Sequence, residues 1–324
     1  MVDLEDVRAA AKRIAGQVVR TPLIPSPNGE SLWLKPENLQ PTGAFKLRGA
    51  LNAVGSLPAA ERARGVVTHS SGNHGRALAW AAREHRVPAV VVMPDDSPQV
   101  KIDGVRALGA EVIVVPPVDR VPQVAELAQQ RGLVHVPPFD DEAIIAGQGT
   151  VGLEIAEDMP SVGTVLVPVG GGGLISGVAV AVKALVPGVR VVGVEPELAG
   201  DLAEGFAAGS RVVWDHDLTG RTIADGLRGP AVGHANWTHI AALVDDVVTV
   251  SEDAIMAAMT RIVTGSRIVC EPSGAVAAAA FWARPGVASG PTVAIVSGGN
   301  VDPALLARMI TLRGQSPPSQ GLQT

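Results

Sequence analysis

The sequence predicts an α/β fold built on parallel sheets. Runs of valine and isoleucine of strand length alternate with segments of helix length through most of the 324 residues. Most of these runs lack alternating polar residues, which indicates strands that are buried on both faces of a sheet. Strands and helices in alternation form the βαβ pattern of doubly wound folds.

Seven segments are predicted strands, with helices between several of them. The strand segments are 65–68, 89–93, 111–115, 133–136, 164–169, 189–194 and 292–296. Helical patterns fill residues 76–85 and 174–185, and an amphipathic helix is predicted to start near Asp3.

Three turns that contain glycine follow predicted strands: SSGNHG at 70–75, GGGG at 170–173 and SGGN at 297–300. Glycine lets a backbone approach a ligand closely, and the N-terminus of a helix offers free N–H groups to an anion. Ligands of open α/β sheets bind beyond the carboxyl ends of the strands. The three turns are therefore candidate ligand-binding loops.

The composition indicates a globular protein and argues against two classes of partner. Hydrophobic residues make up 47% of the chain, charged residues make up 18%, and the net charge is −6. A mildly acidic surface disfavours nucleic acid or an anionic membrane as the main partner. Apolar runs free of proline, glycine and charge are shorter than the ~18 residues of a membrane span.

Cysteine usage and the chain ends predict a cytoplasmic protein. Cys270 is the only cysteine, so no disulfide can form within the chain and a reducing compartment is expected. The N-terminal segment lacks the apolar core of a signal peptide. Residues 314–324 are rich in polar residues and proline and are predicted to be disordered.

The glycines at 170–173 form a candidate phosphate-binding loop. They follow a strand and precede an apolar helix, so their backbone N–H groups could surround a phosphate. Their spacing is neither that of a P-loop nor that of a dinucleotide-binding loop. A flexible turn is the alternative interpretation.

Lys46 is a candidate nucleophile near the start of a predicted helix. A helix N-terminus disfavours a second positive charge and lowers the pKa of an amine. A neutral amine can form a Schiff base. A single lysine is more often a surface residue, so both interpretations stay open on position alone.

Three acidic residues are candidates for binding. Glu271 follows an apolar stretch, where it could also cap a helix or form a salt bridge. Glu195 and Asp201 follow a strand and, with a backbone carbonyl, could hold a hard cation. Solvated carboxylates are the alternative for this pair. The sequence shows neither a zinc-binding histidine spacing nor the nucleophile elbow of a serine hydrolase.

Seven motifs occur in the order found in fold-type II enzymes that use pyridoxal 5′-phosphate (PLP). The chain resembles the branch of threonine/serine dehydratases and serine racemases over residues 21–302. The motifs are KPENLQPTGAFKLRGALNAV (35–54), SSGNHG (70–75), IAGQGT (145–150), PVGGGGL (168–174), TIADG (222–226), EPSGA (271–275) and SGGNVD (297–302).

The resemblance implies a role for each matching position. Lys46 would hold PLP as a Schiff base and would then remove the Cα proton of the substrate, and Ser71 would be a second base on the opposite face. The implied cofactor-binding residues are Phe45, Lys46, Asn73, Gly170, Gly171, Gly172, Gly173, Gly226, Glu271, Ser297 and Gly298. The implied substrate-binding residues are Ser70, Ser71, Gly72, Asn73 and His74, in the turn that would hold the carboxylate of an amino acid.

The resemblance also implies a divalent cation. Glu195, the carbonyl of Ala199 and Asp201 match the cation site of the racemase-like branch. Oxygen ligands suit Mg²⁺ or Ca²⁺, which would have a structural or activating role.

The implied architecture is that of tryptophan synthase β-like enzymes, with two doubly wound domains and parallel-rich sheets. A large PLP-binding domain would comprise residues 1–64 and 141–313. A small mobile domain, residues 65–140, would close over the substrate and exclude water. A homodimer is usual in the family and is expected here.

The implied reaction is β-elimination, which would convert L-threonine or L-serine to a 2-oxo acid and ammonia. Phe139 favours a dehydratase, whereas NHGRA at 73–77 is closer to the racemases and Ser71 permits both. Racemisation of serine or aspartate is one alternative, and dehydration of 3-hydroxyaspartate or another β-hydroxy amino acid is another. A silent phosphate- or amino-acid-binding protein is the alternative from a different class, against which Lys46 and Ser297 argue.

Overall fold

Two parallel-rich sheets, each flanked by helices, make up the computed structural model, which describes residues 1–26, 29–70, 72–97 and 99–313. The strands are β1 (Ile24–Pro25), β2 (Leu32–Pro36), β3 (Val66–His69), β4 (Ala89–Pro94), β5 (Glu111–Val115), β6 (Val134–His135), β7 (Thr164–Pro168), β8 (Arg190–Pro196), β9 (Asp246–Val250) and β10 (Thr292–Val296). The helices are α1 (Leu4–Ile14), α2 (Lys46–Ser56), α3 (Ala59–Arg64), α4 (Asn73–His85), α5 (Gln99–Arg106), α6 (Arg120–Arg131), α7 (Glu142–Asp158), α8 (Gly173–Leu185), α9 (Asp201–Ala208), α10 (His216–Thr219), α11 (His234–Leu243), α12 (Glu252–Arg261), α13 (Pro272–Ala283) and α14 (Pro303–Arg313).

The larger sheet has six strands in the order β1-β2-β10-β7-β8-β9. Its pairs are parallel except for the antiparallel pair of β1 and β2. The smaller sheet has four parallel strands in the order β5-β4-β3-β6. The predicted α/β class with parallel sheets is confirmed. The boundaries of the two predicted domains, at residues 64/65 and 140/141, stay a prediction.

Side chains of the central strands β10, β7 and β8 are buried on both faces, as the unbroken valine runs predict. Leu166 and Val192 point to one face, where they pack with α12 and α13. Val165 and Val191 point to the other face, where they pack with α7 and α8. Helices on both faces of a parallel sheet define the doubly wound arrangement.

All seven predicted strands are present, although the segment 133–136 pairs only at Val134–His135. Three strands were not predicted, namely β1, β2 and β9. β2 carries Lys35 and ends at Pro36, and β9 begins at Asp246, so neither segment reads as an apolar run. The first helix begins where predicted, because the Asp3 carboxylate accepts hydrogen bonds from the Glu5 and Asp6 amides.

Among the described residues, no helix combines the length and the apolar character that crossing a bilayer requires.

Four charged side chains are buried together where β2, α2 and α7 meet. The Arg48 guanidinium donates to Glu37 at 2.7 Å through Nε and to Glu154 at 2.7 Å through Nη1. The Lys35 ammonium donates to Glu154 at 2.6 Å. Arg48, Lys35 and Glu37 have no exposed surface. Burial alone would raise the pKa of Glu37, but the charge and hydrogen bonds of Arg48 lower it overall, so the carboxylate stays ionised.

Replacing Arg48 by methionine is expected to lower the free energy of unfolding by about 3–5 kcal/mol, because two buried carboxylates lose their partner. Urea denaturation at pH 7 measures the change. Arg131→Met is the control, since Arg131 forms an exposed ion pair with Glu111, and it should change stability by about 0.5 kcal/mol or less. Equal destabilisation by the two substitutions would contradict the assigned role of Arg48.

Candidate active site

The three glycine-bearing turns lie at the carboxyl ends of β3, β7 and β10. The segment before α2 joins them: the Phe45 amide donates to the Ser297 carbonyl at 3.0 Å, and the Gly299 amide donates to the Gly43 carbonyl at 2.9 Å. Ala44 and Gly298 form an isolated antiparallel bridge at the same place. Lys46 and the 297–300 turn, which lie 251 residues apart or more in sequence, are thus held together by the backbone.

Lys46 is the first residue of α2 and is half-buried. Its ammonium donates to the Pro138 carbonyl at 2.7 Å and lies 5.1 Å from the centroid of the Phe45 ring. Burial lowers the pKa of Lys46 to about 8, because water that would stabilise the charged form is excluded. About a tenth of the Lys46 amine is therefore neutral at pH 7 and about half at pH 8. A neutral amine is the nucleophilic form.

The 170–173 loop leads directly into α8. Gly172 has a φ of +90°, a conformation that favours glycine. A Cβ at Gly171 would lie 2.2 Å from the ring of Phe139, so no larger residue fits. The Gly171 carbonyl accepts hydrogen bonds from the Gly233 amide at 3.0 Å and from Asn236 Nδ2 at 2.9 Å. The loop is fixed by these contacts rather than flexible, and the first N–H groups of the helix have no partners within it.

Asn73, the first residue of α4, contacts Glu271 before α13 and Asn300 after β10. Its Nδ2 donates to Glu271 at 2.6 Å, and its Oδ1 accepts from Asn300 Nδ2 at 2.7 Å. Asn300 also donates to the Thr42 carbonyl at 2.9 Å. A Cβ at Gly298 would lie 2.1 Å from Glu271 Oε1, so the carboxyl group occupies the space that this glycine leaves.

Glu271 occupies the N-cap position of α13 but its side chain does not cap the helix. Burial, followed by the charge of Asp225, raises its pKa to about 7, while the hydrogen bond from Asn73 lowers it. The helix-capping alternative for Glu271 is therefore wrong, and the carboxyl group faces the other predicted cofactor residues.

Ser297 and Gly226 meet at Ser273. The buried Ser297 hydroxyl lies 3.4 Å from the Ser273 carbonyl, and the Gly226 amide donates to the Ser273 hydroxyl at 2.9 Å. The Gly226 carbonyl faces Gly170, where a Cβ would approach it to 3.3 Å. The predicted cofactor residues of three separate motifs thus form one continuous surface.

The 70–75 turn contains the predicted substrate-binding residues. Ser70 accepts a hydrogen bond from the Gly72 amide at 3.1 Å. His74 is buried, with Nε2 3.2 Å from the Val136 carbonyl and Nδ1 without a hydrogen-bond partner. Burial and the charge of Lys46 lower the pKa of His74 to about 3, so the ring is neutral at pH 7. The predicted second base, Ser71, lies outside the described residues.

The predicted cation site lies away from these turns, between β8 and α9. Both oxygens of Glu195 accept backbone hydrogen bonds, from Leu202 at 3.2 Å and Ala203 at 2.8 Å. Asp201 Oδ2 is buried without a partner. Burial and the charge of Asp201 raise the pKa of Glu195, and burial raises the pKa of Asp201 to about 7. The described residues contain no cluster of three or more histidine, cysteine or acidic side chains that could hold a metal.

A family profile described as "Pyridoxal-phosphate dependent enzyme" matches residues 14–298 of the chain. The chain belongs to this family. The glycine loop, the buried amine of Lys46 and the serine after β10 fit PLP, since they offer backbone donors for a phosphate and a nucleophile for an aldehyde. The resemblance in the sequence is thereby confirmed, and so is the implied fold.

Relatives with three different activities are similar over nearly the whole chain. A catabolic L-threonine dehydratase of Escherichia coli is 38% identical over 97% of this chain and 96% of the relative. An L-threo-3-hydroxyaspartate ammonia-lyase of Saccharomyces cerevisiae is 38% identical over 96% of this chain and 97% of the relative. The structure of maize serine racemase superposes with a TM-score of 0.88, at 37% identity over 97% of this chain and 98% of that one.

Several residues of the site were not predicted. The Pro138 carbonyl, Asn236, Asn300 and Ser273 each contact a predicted residue. Asn300 and Ser273 lie inside motifs that the resemblance covers, so the motifs could have indicated them. Pro138 contributes its backbone carbonyl, and Asn236 contributes a side-chain amide that donates to the Gly171 carbonyl. No motif in the sequence indicates either contact.

Covalent uptake of PLP by the cofactor-free protein is expected to speed up as pH rises through about 8, because only the neutral amine of Lys46 attacks the aldehyde. A pKa near 8 predicts about a fivefold increase in rate between pH 7 and pH 8. Borohydride reduction followed by mass spectrometry measures the fraction attached. Lys46→Ala should lose attachment and exposed Lys12→Ala should retain it. Attachment to Lys46→Ala at the wild-type rate would refute the assignment.

Gly171→Ala is expected to weaken PLP binding at least tenfold, because the methyl group would displace Phe139 and the loop. Fluorescence titration of the cofactor-free protein measures the dissociation constant. Gly104→Ala is the matched control, since a Cβ there meets nothing within 4 Å. Unchanged PLP affinity in Gly171→Ala would show that the contact with Phe139 does not shape the loop.

Proposed function

We propose that the protein is an ammonia-lyase that dehydrates a β-hydroxy amino acid, with L-threonine and L-serine as substrates. The observation that carries the proposal is the half-buried amine of Lys46, with its pKa lowered to about 8, beside a glycine loop packed on Phe139. Relatives named as dehydratases and ammonia-lyases support it. The products would be a 2-oxo acid and ammonia.

Different residues of the site would bind the cofactor's phosphate, the cofactor's ring and the substrate's carboxylate. The amides of residues 170–173 and the N-terminus of α8 would hold the cofactor's phosphate. Ser297, Asn73 and Glu271 would surround its ring, and Lys46 would hold it covalently. The 70–75 turn, at the N-terminus of α4, would hold the carboxylate of the amino acid. PLP, when bound, supplies an electron sink for the electrons of the broken Cα–H bond.

The neutral amine of Lys46 is placed to accept the Cα proton as a general base. Burial lowers the pKa of Lys46, which makes the amine available near pH 7 to 8. The hydrogen bond to the Pro138 carbonyl holds Nζ at one position. Ser297 would meet the cofactor ring with a neutral hydroxyl, which would not keep a ring nitrogen protonated as a carboxylate would.

Racemisation of serine is the second candidate. The similarity to maize serine racemase and the sequence NHGRA at 73–77 favour it. Inversion at Cα needs a base on each face of the substrate, and Ser71 is the proposed second base. Phe139 in place of a polar residue favours elimination.

We also propose that the smaller sheet, within proposed domain 65–140, closes over the substrate. We further propose that the protein is a cytoplasmic homodimer.

A substrate screen with the PLP-loaded protein tests the function. We expect 2-oxo acid from L-threonine and L-serine, and less from D-serine and the 3-hydroxyaspartates. Enzymatic assay of 2-oxo acid and chiral chromatography read both products from one reaction. Inverted amino acid at a rate comparable to that of 2-oxo acid would reassign the protein as a racemase. Preference for a 3-hydroxyaspartate would reassign its substrate.

We also propose that Glu195, the Ala199 carbonyl and Asp201 bind Mg²⁺ or Ca²⁺. The buried, unpartnered Asp201 Oδ2 and the mutual repulsion of two carboxylates support a cation here. Such a cation would fix the start of α9 and would take no part in the chemistry.

Removal of divalent cations by EDTA is expected to lower the melting temperature by several degrees, because the two carboxylates would lose a shared partner. Differential scanning calorimetry measures the shift, and added Mg²⁺ or Ca²⁺ should reverse it. Asp201→Asn should be insensitive to EDTA, whereas exposed Glu197→Gln should respond like the wild type. A wild-type protein whose melting temperature ignores EDTA would exclude the site.

A further inference from the structure

Lys101 forms an ion pair that links the helices of the smaller sheet to a loop of the larger one. Lys101 lies on α5, and its Nζ donates to Asp225 Oδ2 at 2.7 Å. The two side chains are 28% and 41% exposed, so the pair is reachable by water and can open without burying an isolated charge. α5 packs on the smaller sheet through Ile102 and Val105.

The Asp225 side of this pair is fixed. Glu252 accepts a hydrogen bond from the Thr222 hydroxyl at 2.7 Å and another from the Ile223 amide at 2.7 Å. The next residue, Gly226, donates to the Ser273 hydroxyl at 2.9 Å. The loop that carries Asp225 is therefore hydrogen-bonded to α12 before Asp225 and to α13 after it.

The Lys101 side of the pair lies against the substrate turn. A Cβ at Gly72 would be 3.7 Å from Lys101 Nζ. Gly72 is the N-cap residue of α4, in the turn proposed to hold the carboxylate of the amino acid. The same ammonium thus faces the turn on one side and the fixed Asp225 on the other.

We propose that Lys101 is a positioning residue whose ion pair with Asp225 holds Gly72 and the N-terminus of α4 in their substrate-binding position. A second contact joins α4 to the residues after β10, since Arg76 Nη1 donates to Asn300 Oδ1 at 3.1 Å. The inference rests on the proposed function, since it assigns substrate binding to this turn.

The ion pair of Lys101 and Asp225 also affects the pKa of Glu271, which a purely structural role would not change in opposite directions. Asp225 raises the pKa of Glu271, and Lys101 lowers it. The hydrogen bonds from Asn73 and from the Asn300 backbone amide also lower the pKa of Glu271. The neighbouring Cys270 thiol is neutral at pH 7, because burial raises its pKa to about 12. Removal of Lys101 and removal of Asp225 should therefore shift the pH profile in opposite directions, although both break the same pair.

The test compares Lys101→Met, Asp225→Asn and the exchange variant Lys101→Asp/Asp225→Lys with Arg131→Met as the control. In the holoenzyme, each single variant is expected to raise KM and the dissociation constant of L-alanine about three- to tenfold, with kcat within twofold of wild type. The exchange variant should recover at least half of the loss. Added salt should weaken binding in the wild type more than in the single variants. Arg131→Met should match the wild type throughout.

The pH profile of kcat/KM is measured on the same variants. We assign one limb of this profile to Glu271, which would lie beside the cofactor ring. That limb should move up in pH in Lys101→Met and down in Asp225→Asn. Wild-type KM and L-alanine affinity in both single variants would overturn the proposal. So would weakened binding that the exchange variant does not recover, with pH limbs that stay in place.

L-Alanine separates this proposal from the proposed function, because it has no β-hydroxyl to lose. Its binding is read from the absorbance of the bound cofactor rather than from turnover. A wild-type protein that forms no 2-oxo acid refutes the ammonia-lyase assignment alone. In that case, the L-alanine titrations of the variants still decide whether Lys101 positions the binding site.

Discussion

The buried guanidinium of Arg48 constrains the rest of the architecture. A charge with no exposed surface is tolerated only where its donors are satisfied, and here Glu37 and Glu154 satisfy them. Those two carboxylates come from the turn after β2 and from α7, so three elements can meet in only one arrangement. Arg48 is two residues beyond Lys46 on α2. The network that removes the cost of the buried charge therefore also fixes the start of the helix that carries the reactive amine.

A second constraint acts through three consecutive residues before α7. The Pro138 carbonyl accepts from Lys46, the Phe139 ring fills the space above Gly171, and Asp140 accepts from the first amides of α11. One short segment thus touches the amine, the glycine loop and a helix of the larger sheet. A change in any of the three contacts would move the other two. This segment explains why a loop of four glycines is held in one conformation.

Sequence reasoning found the parts of the site that carry local patterns. A glycine loop between a strand and a helix, or a lysine that starts a helix, can be recognised from a few neighbouring residues. The pair of Asn73 and Glu271 spans 198 positions, and the pair of Lys101 and Asp225 spans 124. Nothing near either residue indicates its partner, because the fold alone brings them together. β2 and β9 were not predicted for a related reason. Lys35 and Asp246 interrupt their apolar patterns, and the partners of these residues, Glu154 and Arg190, come from distant parts of the chain.

The buried groups of the site share one electrostatic property. Burial lowers the pKa of Lys46 and of His74 and raises that of Glu271, so each moves toward its neutral form near pH 7 to 8. In the proposed function, backbone amides at helix N-termini would bind the phosphate of the cofactor and the carboxylate of the substrate. Those donors are fixed by the fold and need no rearrangement when charge arrives. In the proposed reaction, the neutral amine of Lys46 would use its lone pair to accept the Cα proton. A carboxylate paired with Lys46 would instead favour the protonated form, which has no free lone pair.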